Sequence, residues 1–487
     1  MTTLADKDKV PTSTPHKGEV PFYRERGQAQ PRAVKGRFRD IKWWAMAVLL
    51  AWWHLAPFLR WDRGIGAPDQ AILIDMPGRR AYFFNIEIWP QEVYYVTGLL
   101  LIAAISLFLM SALAGRLWCG FLCWQTVYTD LFQQIERLIL GDRNARIAAG
   151  RAPMTAARAL RQGVVYALWL VVAAACGIGF MLWFGDAFQT LRELFTLQAS
   201  GATYLIIAVI GGFCFLLAGF ARERVCVYMC PYSRFQSAML DEHSLIVSYE
   251  KWRGEPRAPA PKDLDFSARG HCVDCKMCVQ SCPTGVDIRF GNQLACIGCG
   301  LCIDACNTVM DKFGLPRGLI RLDSSANLEA RTVGQTGPGH RIVRPRTILY
   351  TTLLAIVGTV MLTALLTRST TEVNVLHERS PLFVQMSDGG VRNGYAYKVL
   401  NMIRQDRDYT LTTEGIDGAR MEVIGGDSNV TSTELSVDKD SVGTFRLFVT
   451  APDASLKGAR QTITFVLTEK GTGKVVRSES MFAAPDR

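Results

Sequence analysis

The chain has 487 residues, 49% of them hydrophobic, and a formal charge of +10. That apolar content is high for a wholly soluble protein and points to a membrane protein. The basic residues flank apolar segments instead of forming one dense run, which argues against nucleic-acid binding.

In chain order, residues 1–41 are polar, rich in Lys, Arg and Pro, and carry no short apolar stretch followed by a small-residue cleavage site. They are expected to remain as a disordered cytoplasmic N-terminus. Five stretches, at about 42–59, 93–114, 164–184, 203–221 and 347–366, have the length and apolarity of membrane spans. Residues 1–42 hold ten basic against five acidic side chains and residues 114–163 hold seven against three, whereas 60–92 hold four against five. The excess of Lys and Arg marks the first two as cytoplasmic and leaves 60–92 periplasmic. The expected fold is therefore an α-helical membrane domain of five transmembrane helices, four of them within 42–221 and the fifth at 347–366. A cytoplasmic segment, 222–346, carries an inserted α+β two-cluster ferredoxin-like domain at about 262–325. A C-terminal all-β, immunoglobulin-like sandwich at 367–487 is placed in the periplasm.

That last region changes character. Alternating runs such as Phe445–Val449 and Thr462–Leu467 are separated by Gly, Asn and Asp, and about seven such strands suit a sandwich without a disulfide. Asn393-Gly394 reads as a hairpin or turn. No set of reactive side chains occurs there, so its expected role is docking or folding.

All fourteen cysteines lie before residue 307, a distribution that favours reduced, metal-binding thiols over a disulfide framework. The strongest motif is Cys272-x2-Cys275-x2-Cys278-x3-Cys282-Pro283, followed after thirteen residues by Cys296-x2-Cys299-x2-Cys302-x3-Cys306. This is the spacing of a two-cluster ferredoxin, in which three cysteines wrap one 4Fe–4S cubane and the fourth turns to the other. Crossed ligation follows: Cys272, Cys275, Cys278 and Cys306 for one cluster, and Cys296, Cys299, Cys302 and Cys282 for the other. Structural zinc is the competing reading, but zinc sites use separated CxxC pairs. Asn307 stands where simple ferredoxins often have Pro, and is expected to alter the local turn.

Two further pairs, Cys119 with Cys123 and Cys226 with Cys230, follow the second and fourth spans in a weak internal repeat. On a helix, residues four apart share a face, so each pair can present two sulfurs to a soft ion. Pro231 disfavours helix at Cys230 and suits the first turn of the next helix, which places Cys230 at a helix N-terminus. Trp124 replaces that proline after Cys123, so the argument does not extend to the first pair. The plainer reading makes all four small buried hydrophobes. Cys176 and Cys214 are read as packing residues, as is His54. No phosphate-binding or nicotinamide fingerprint follows a strand, so the electron donor lies outside this chain.

With these motifs in hand, the chain resembles the cytochrome c oxidase accessory family known as CcoG, FixG or RdxA over nearly everything after about residue 38. The likeness rests on Trp89-Pro-Gln-Glu92, Ala114-Gly-Arg-Leu-Trp-Cys119-Gly-Phe-Leu-Cys123, Gln125-Thr-Val-Tyr-Thr-Asp130, Cys226-x3-Cys230-Pro-Tyr-Ser-Arg-Phe-Gln236 and both cluster motifs. Val391-Arg-Asn-Gly-Tyr395 and Lys398-Val-Leu-Asn-Met402 extend it into the C-terminal region. Trp124 departs from the family, which usually has Pro there. The resemblance implies a bacterial inner-membrane oxidoreductase that reduces Cu(II) to Cu(I) for assembly of cbb-type oxidases. Its two 4Fe–4S clusters would be electron carriers, Cys226, Cys230, Cys119 and Cys123 the catalytic copper site, and membrane lipid, copper chaperones and oxidase assembly factors its partners. Two other readings stay open: a quinol-oxidising subunit that feeds a partner reductase, and a non-enzymatic redox-sensing assembly factor.

Overall fold

Four helices of the computed structural model are long and apolar enough to cross a membrane: Pro90–Ala114, Ala156–Met181, Gly201–Ala221 and Pro345–Leu366. The structure describes residues 28–64, 66–261, 265–267, 269–426 and 428–485. It divides into a unit ending at Met361 and a second unit from Leu362 onward.

The first expected span, 42–59, is met by a helix at Arg37–Leu55, but this helix is not among the four. Arg37, Arg39, Asp40 and Lys42 occupy its first turns, and such charges are costly in hydrocarbon. They have protein partners instead. Arg39 and Lys42 pair with Asp130 of the helix Trp124–Leu140 at 2.8 and 3.7 Å. The Arg39 amide donates to Asp304 at 2.8 Å, which satisfies one of the free N–H groups at the helix start. Gly36 permits this approach, since a Cβ there would overlap the Asp304 carboxyl. Four of the five expected spans thus coincide with these helices, and at the remaining one stands a helix whose polar beginning is docked on the cysteine-rich segment.

The expected disorder of residues 1–41 falls outside the described residues up to 27, and from residue 28 it does not hold. The Arg32 amide donates to the Gln280 carbonyl at 2.7 Å and the Ala33 amide to Asp142 at 3.0 Å. The Pro31 carbonyl accepts from Arg137 and Arg146 at 3.0 and 2.8 Å. Polar composition suggested disorder because the partners that order this segment lie more than a hundred residues away.

In the cysteine-rich segment, strands Ile246–Tyr249 and Ile320–Asp323 pair antiparallel and extend the ferredoxin-like fold back from the expected start near 262. Val247, Tyr249, Ile288, Ile303, Met310, Leu319 and Ile320 form its apolar core. The fully buried Glu250 beside this sheet is held by Arg321 and Arg331 at 3.0 and 2.9 Å. Asn307 makes no turn: it lies inside the helix Leu301–Lys312 and accepts from the Gly318 amide at 3.0 Å.

The second unit is a sandwich of two antiparallel sheets. One sheet runs Arg420–Val423, Ser441–Ala451, Val391–Asn401, Thr371–His377, with the short strand Val384–Gln385 also on Val391–Asn401. The other runs Ser432–Val437, Arg407–Glu414, Arg460–Glu469, Val475–Ala483. Alternate residues such as Tyr395, Tyr397, Leu447, Val449, Phe465 and Leu467 fill the space between them. The expected turn at Asn393-Gly394 is absent, because both residues sit inside a paired strand. The Asn393 amide is buried, donates to the Ala483 carbonyl at 2.8 Å and accepts the Ala483 amide at 2.9 Å, so it pins one sheet to the other. At Gly394 a Cβ would meet the Glu378 carboxylate at 2.7 Å.

Candidate metal centres

The eight cysteines of the ferredoxin-like runs close around two cavities, and the grouping is crossed. Cys272, Cys275, Cys278 and Cys306 line the first, with Tyr249, Met310, Leu319 and Ile320. Cys282, Cys296, Cys299 and Cys302 line the second, with Val247, Val286, Ile288 and Ile297. Crossing arises because each run wraps in left-handed backbone, at Asp274 and Lys276 in one and Gly298 and Gly300 in the other. Each then continues into a helix, Met277–Gln280 or Leu301–Lys312, that carries its last cysteine past its own cavity.

The donor sets fit an iron–sulfur cluster. All the thiols are free, the cavity walls are apolar, and burial together with neighbouring sulfurs pushes Cys278, Cys296 and Cys306 up to about 12. Thiols gathered this way need a cation to become thiolates together, and iron supplies it. The amides of Val286 and Gly298 donate to the sulfurs of Cys282 and Cys296 at 3.3 and 3.4 Å. Cys302 packs against the core that holds Cys272, Cys278 and Cys306, so the two cavities are close neighbours. Among the described residues no three His, Cys, Asp or Glu side chains converge tightly enough to hold a single ion.

The membrane-edge pairs show the internal repeat as geometry. Gly115 (φ 59°, ψ −118°) and Arg222 (φ 46°, ψ −118°) end the two preceding helices in the same unusual conformation. Each is followed by a π-turn, Trp118–Leu122 or Val225–Met229. Each turn delivers its second cysteine, Cys123 or Cys230, in extended backbone as the cap of the next helix, Trp124–Leu140 or Pro231–Met239. Two expectations change. The pairs do not share the face of an α-helix, because the wider turn intervenes. Cys123 does reach a helix N-terminus, since a backbone bond from its amide to the Trp118 carbonyl at 2.8 Å sets the turn without proline. The equivalent bond, Cys230 to Val225, is also 2.8 Å.

The repeat brings all four of these thiols together. Burial and then Cys123, Cys226 and Cys230 push Cys119 up to about 12. Burial, Cys123 and Cys230 push Cys226 likewise up to about 12. The group rests on the second cavity, where Cys119 and Cys226 pack against Ile297, Cys299 and Leu301. Gly120 makes the approach possible: a Cβ there would lie 2.9 Å from the Ile297 carbonyl and 3.0 Å from the Cys299 backbone.

Several residues escaped the motif reading. Arg116 bonds the Cys296 carbonyl at 2.6 Å and also that of Leu294. Glu136 gathers Arg146 at 2.9 Å together with Arg222. Glu223 lines a small cavity with Cys226, Lys42, Gln125 and Asp130, and one of its oxygens has no partner among the described residues. Their signal in the sequence was charge beside the cysteine pairs, which spacing rules do not score. Cys176 and Cys214 pack in the helix bundle with Tyr128, Phe132 and Trp169, and His54 bonds the carbonyls of Leu50 and Ala175 at 2.9 and 3.3 Å.

Comparison with known proteins follows the same division of the chain. A family model described as a 4Fe-4S dicluster domain matches residues 221–325, one described as a 4Fe-4S binding domain matches 96–143, and one for the IG-like fold at the C-terminus of FixG matches 361–485. The nitrogen fixation protein FixG of Rhizobium meliloti is 43% identical, over 92% of this chain and 90% of its own. Proteins RdxA and RdxB of Cereibacter sphaeroides are 43% and 39% identical, covering 89% and 95% of this chain and 92% and 97% of theirs. A crystal structure of a FixG-related protein from Vibrio parahaemolyticus matches 24% of this chain and 96% of its own, with 23% identity and a TM-score of 0.21.

Proposed function

The chain belongs to the FixG/RdxA family, and on that premise we propose that this iron–sulfur protein is a cupric reductase that supplies Cu(I) for assembly of a cbb-type oxidase. The observation that carries the reading is the packing of Cys119 and Cys226, one from each membrane-edge pair, against Cys299 and its neighbours Ile297 and Leu301, with Gly120 pressed on the Cys299 backbone. In this reading Cys272, Cys275, Cys278 and Cys306 ligate one 4Fe–4S cluster, and Cys282, Cys296, Cys299 and Cys302 the other. Bound clusters supply one-electron storage at the two cavities.

The membrane-edge thiols bind the substrate. Thiolates are soft ligands that favour Cu(I) over Cu(II), so the site that receives Cu(II) also favours its one-electron reduction. One electron and one cupric ion give one cuprous ion, and each thiol that becomes a copper ligand releases its proton to solvent. Electrons enter from a one-electron carrier on the side of Cys275, the exposed thiol of the first set. The excess of Lys and Arg puts the N-terminus and the clusters on the cytoplasmic side of the inner membrane and the sandwich in the periplasm. Copper chaperones and oxidase assembly factors are the partners that receive the product.

The test uses the full chain, purified anaerobically in detergent with its clusters reduced. Addition of Cu(II) is expected to reoxidise the clusters and yield stoichiometric Cu(I) on a colorimetric chelator. A Cys226→Ser, Cys230→Ser variant that retains its iron is expected to lose this reaction. Clusters that ignore Cu(II) but are reduced by quinol would overturn the copper reading in favour of a quinol-oxidising subunit.

A further inference from the structure

Arg116 is a buried cation that pairs with no carboxylate among the described residues. Its side chain is 7% exposed, its hydrogen bonds go to the carbonyls of Leu294 and Cys296, and its Nε has no partner among the described residues. The guanidinium bonds the backbone of the second set at Cys296, and the thiols of Cys296 and of Cys119, three residues on from Arg116, both act on its charge. Gly298 leaves room for it, since a Cβ there would stand 3.1 Å from the Arg116 Cβ. The first set has other neighbours. Arg289 lies at its cavity but is matched by Asp287 at 2.6 Å and by Asp274, Lys276 on the same cavity is exposed, and Arg269, which donates to the Cys272 carbonyl at 3.3 Å, is half-buried.

The internal repeat supplies a control. Arg116 stands three residues before Cys119, and the position three before Cys226 is Glu223. The same terminus, π-turn and cap form around both residues, so the turn itself does not require a cation. Of the two residues, Arg116 is the one that bonds a carbonyl of the second cysteine run, that of Cys296, whereas Glu223 accepts from the Ala29 amide at 2.8 Å.

We infer that Arg116 is a positioning residue for electron flow: its unbalanced charge holds the second cluster at a higher reduction potential than the first, so that the electron collects beside Cys119. A reduced cluster carries one more negative charge than an oxidised one, and a desolvated cation bonded to the backbone of its ligand run stabilises that form most. The inference rests on the cluster assignment alone and holds whether the final acceptor is copper or another oxidant.

The experiment is an anaerobic potentiometric titration of the full chain followed by electron paramagnetic resonance, with Cys275→Ser used to assign the first cluster's signal. The unmodified chain is expected to give two potentials, the higher belonging to the cluster held by Cys302. Arg116→Gln is expected to lower that potential alone and to move the electron's distribution about tenfold toward the first cluster, which corresponds to 59 mV for one electron. Arg116→Lys keeps the charge and is expected to keep the order. An unmodified chain whose second cluster lies at or below the first overturns the inference, as does a Gln variant with full iron content and unmoved potentials. If the Gln variant loses iron, the Lys variant decides: retention of the order supports the inference and reversal overturns it. Failure of the copper reading appears in none of these measurements.

Discussion

The two cysteine runs share their spacing and their backbone path, yet they are built from different residues. At the two left-handed positions the first run has Asp274 and Lys276, the second Gly298 and Gly300. Left-handed backbone costs an ordinary residue about 1–2 kcal/mol, so glycine is the easier choice at all four. The first run forgoes it where its surface is open, and Cys275 and Lys276 are exposed. The second run has no such freedom. A Cβ on Gly300 would lie 2.4 Å from the Phe38 ring, and Gly298 lies against Arg116. Spacing decides which cysteines share a cavity, while the neighbour pressed against a run decides what may stand between them.

Exchanging these positions should break the symmetry of spacing most visibly. Gly300→Ala is expected to cost the second set its cluster, seen as iron content falling by about half, whereas Lys276→Ala leaves iron unchanged. Equal losses from both would show that the packing difference is immaterial. Next in size is the anchor behind the second run. Asp130→Asn removes the carboxylate shared by Arg39 and Lys42 and leaves two buried cations, at a cost of about 3–5 kcal/mol. A large drop in melting temperature measured in detergent is the expected outcome, and an unchanged one would mean that water reaches these side chains.

Smaller effects sharpen the contrast. Under an iron chelator without oxygen, the first set should lose its iron several-fold faster than the second, because Cys275 faces solvent; spectra that decay in step would contradict this. Lys276→Gly should stabilise the chain by about 1 kcal/mol by relieving left-handed strain, read as a higher melting temperature with both clusters retained. At the far end, Arg317→Ala removes a solvent-exposed pair with Asp311 at 2.7 Å and should leave melting temperature and iron content unchanged.

Much of the site is legible in the spacing of its cysteines. The two runs name both cavities and their crossed membership, since ligands three or four residues apart are placed by local backbone alone. Four spans and the strands around Phe445–Val449 and Thr462–Leu467 are likewise carried by hydropathy and alternation. The failures share one form. Asn393-Gly394 has the composition of a turn, but a bond across the sandwich to Ala483 holds it in a strand. Residues 28–36 have the composition of a tail, but the arginines of a distant helix fix them. Trp124 left Cys123 without the proline that marks a helix start after Cys230, but the π-turn makes a cap there from backbone bonds.

By itself the sequence determined that this is a membrane-associated chain with two four-cysteine runs of dicluster-ferredoxin spacing, two repeated thiol pairs and a terminal β-sandwich, because each of these is written in short-range spacing, period or apolar length. Tertiary structure alone decided that the two thiol pairs meet, that Cys119 and Cys226 lie on the second cavity, and that Arg116 bonds the backbone of Cys296. Those facts depend on contacts between segments more than a hundred residues apart. Such contacts are selected by shape and by the cost of leaving a buried charge or donor unpaired, and neither cost is visible in a run of neighbouring residues.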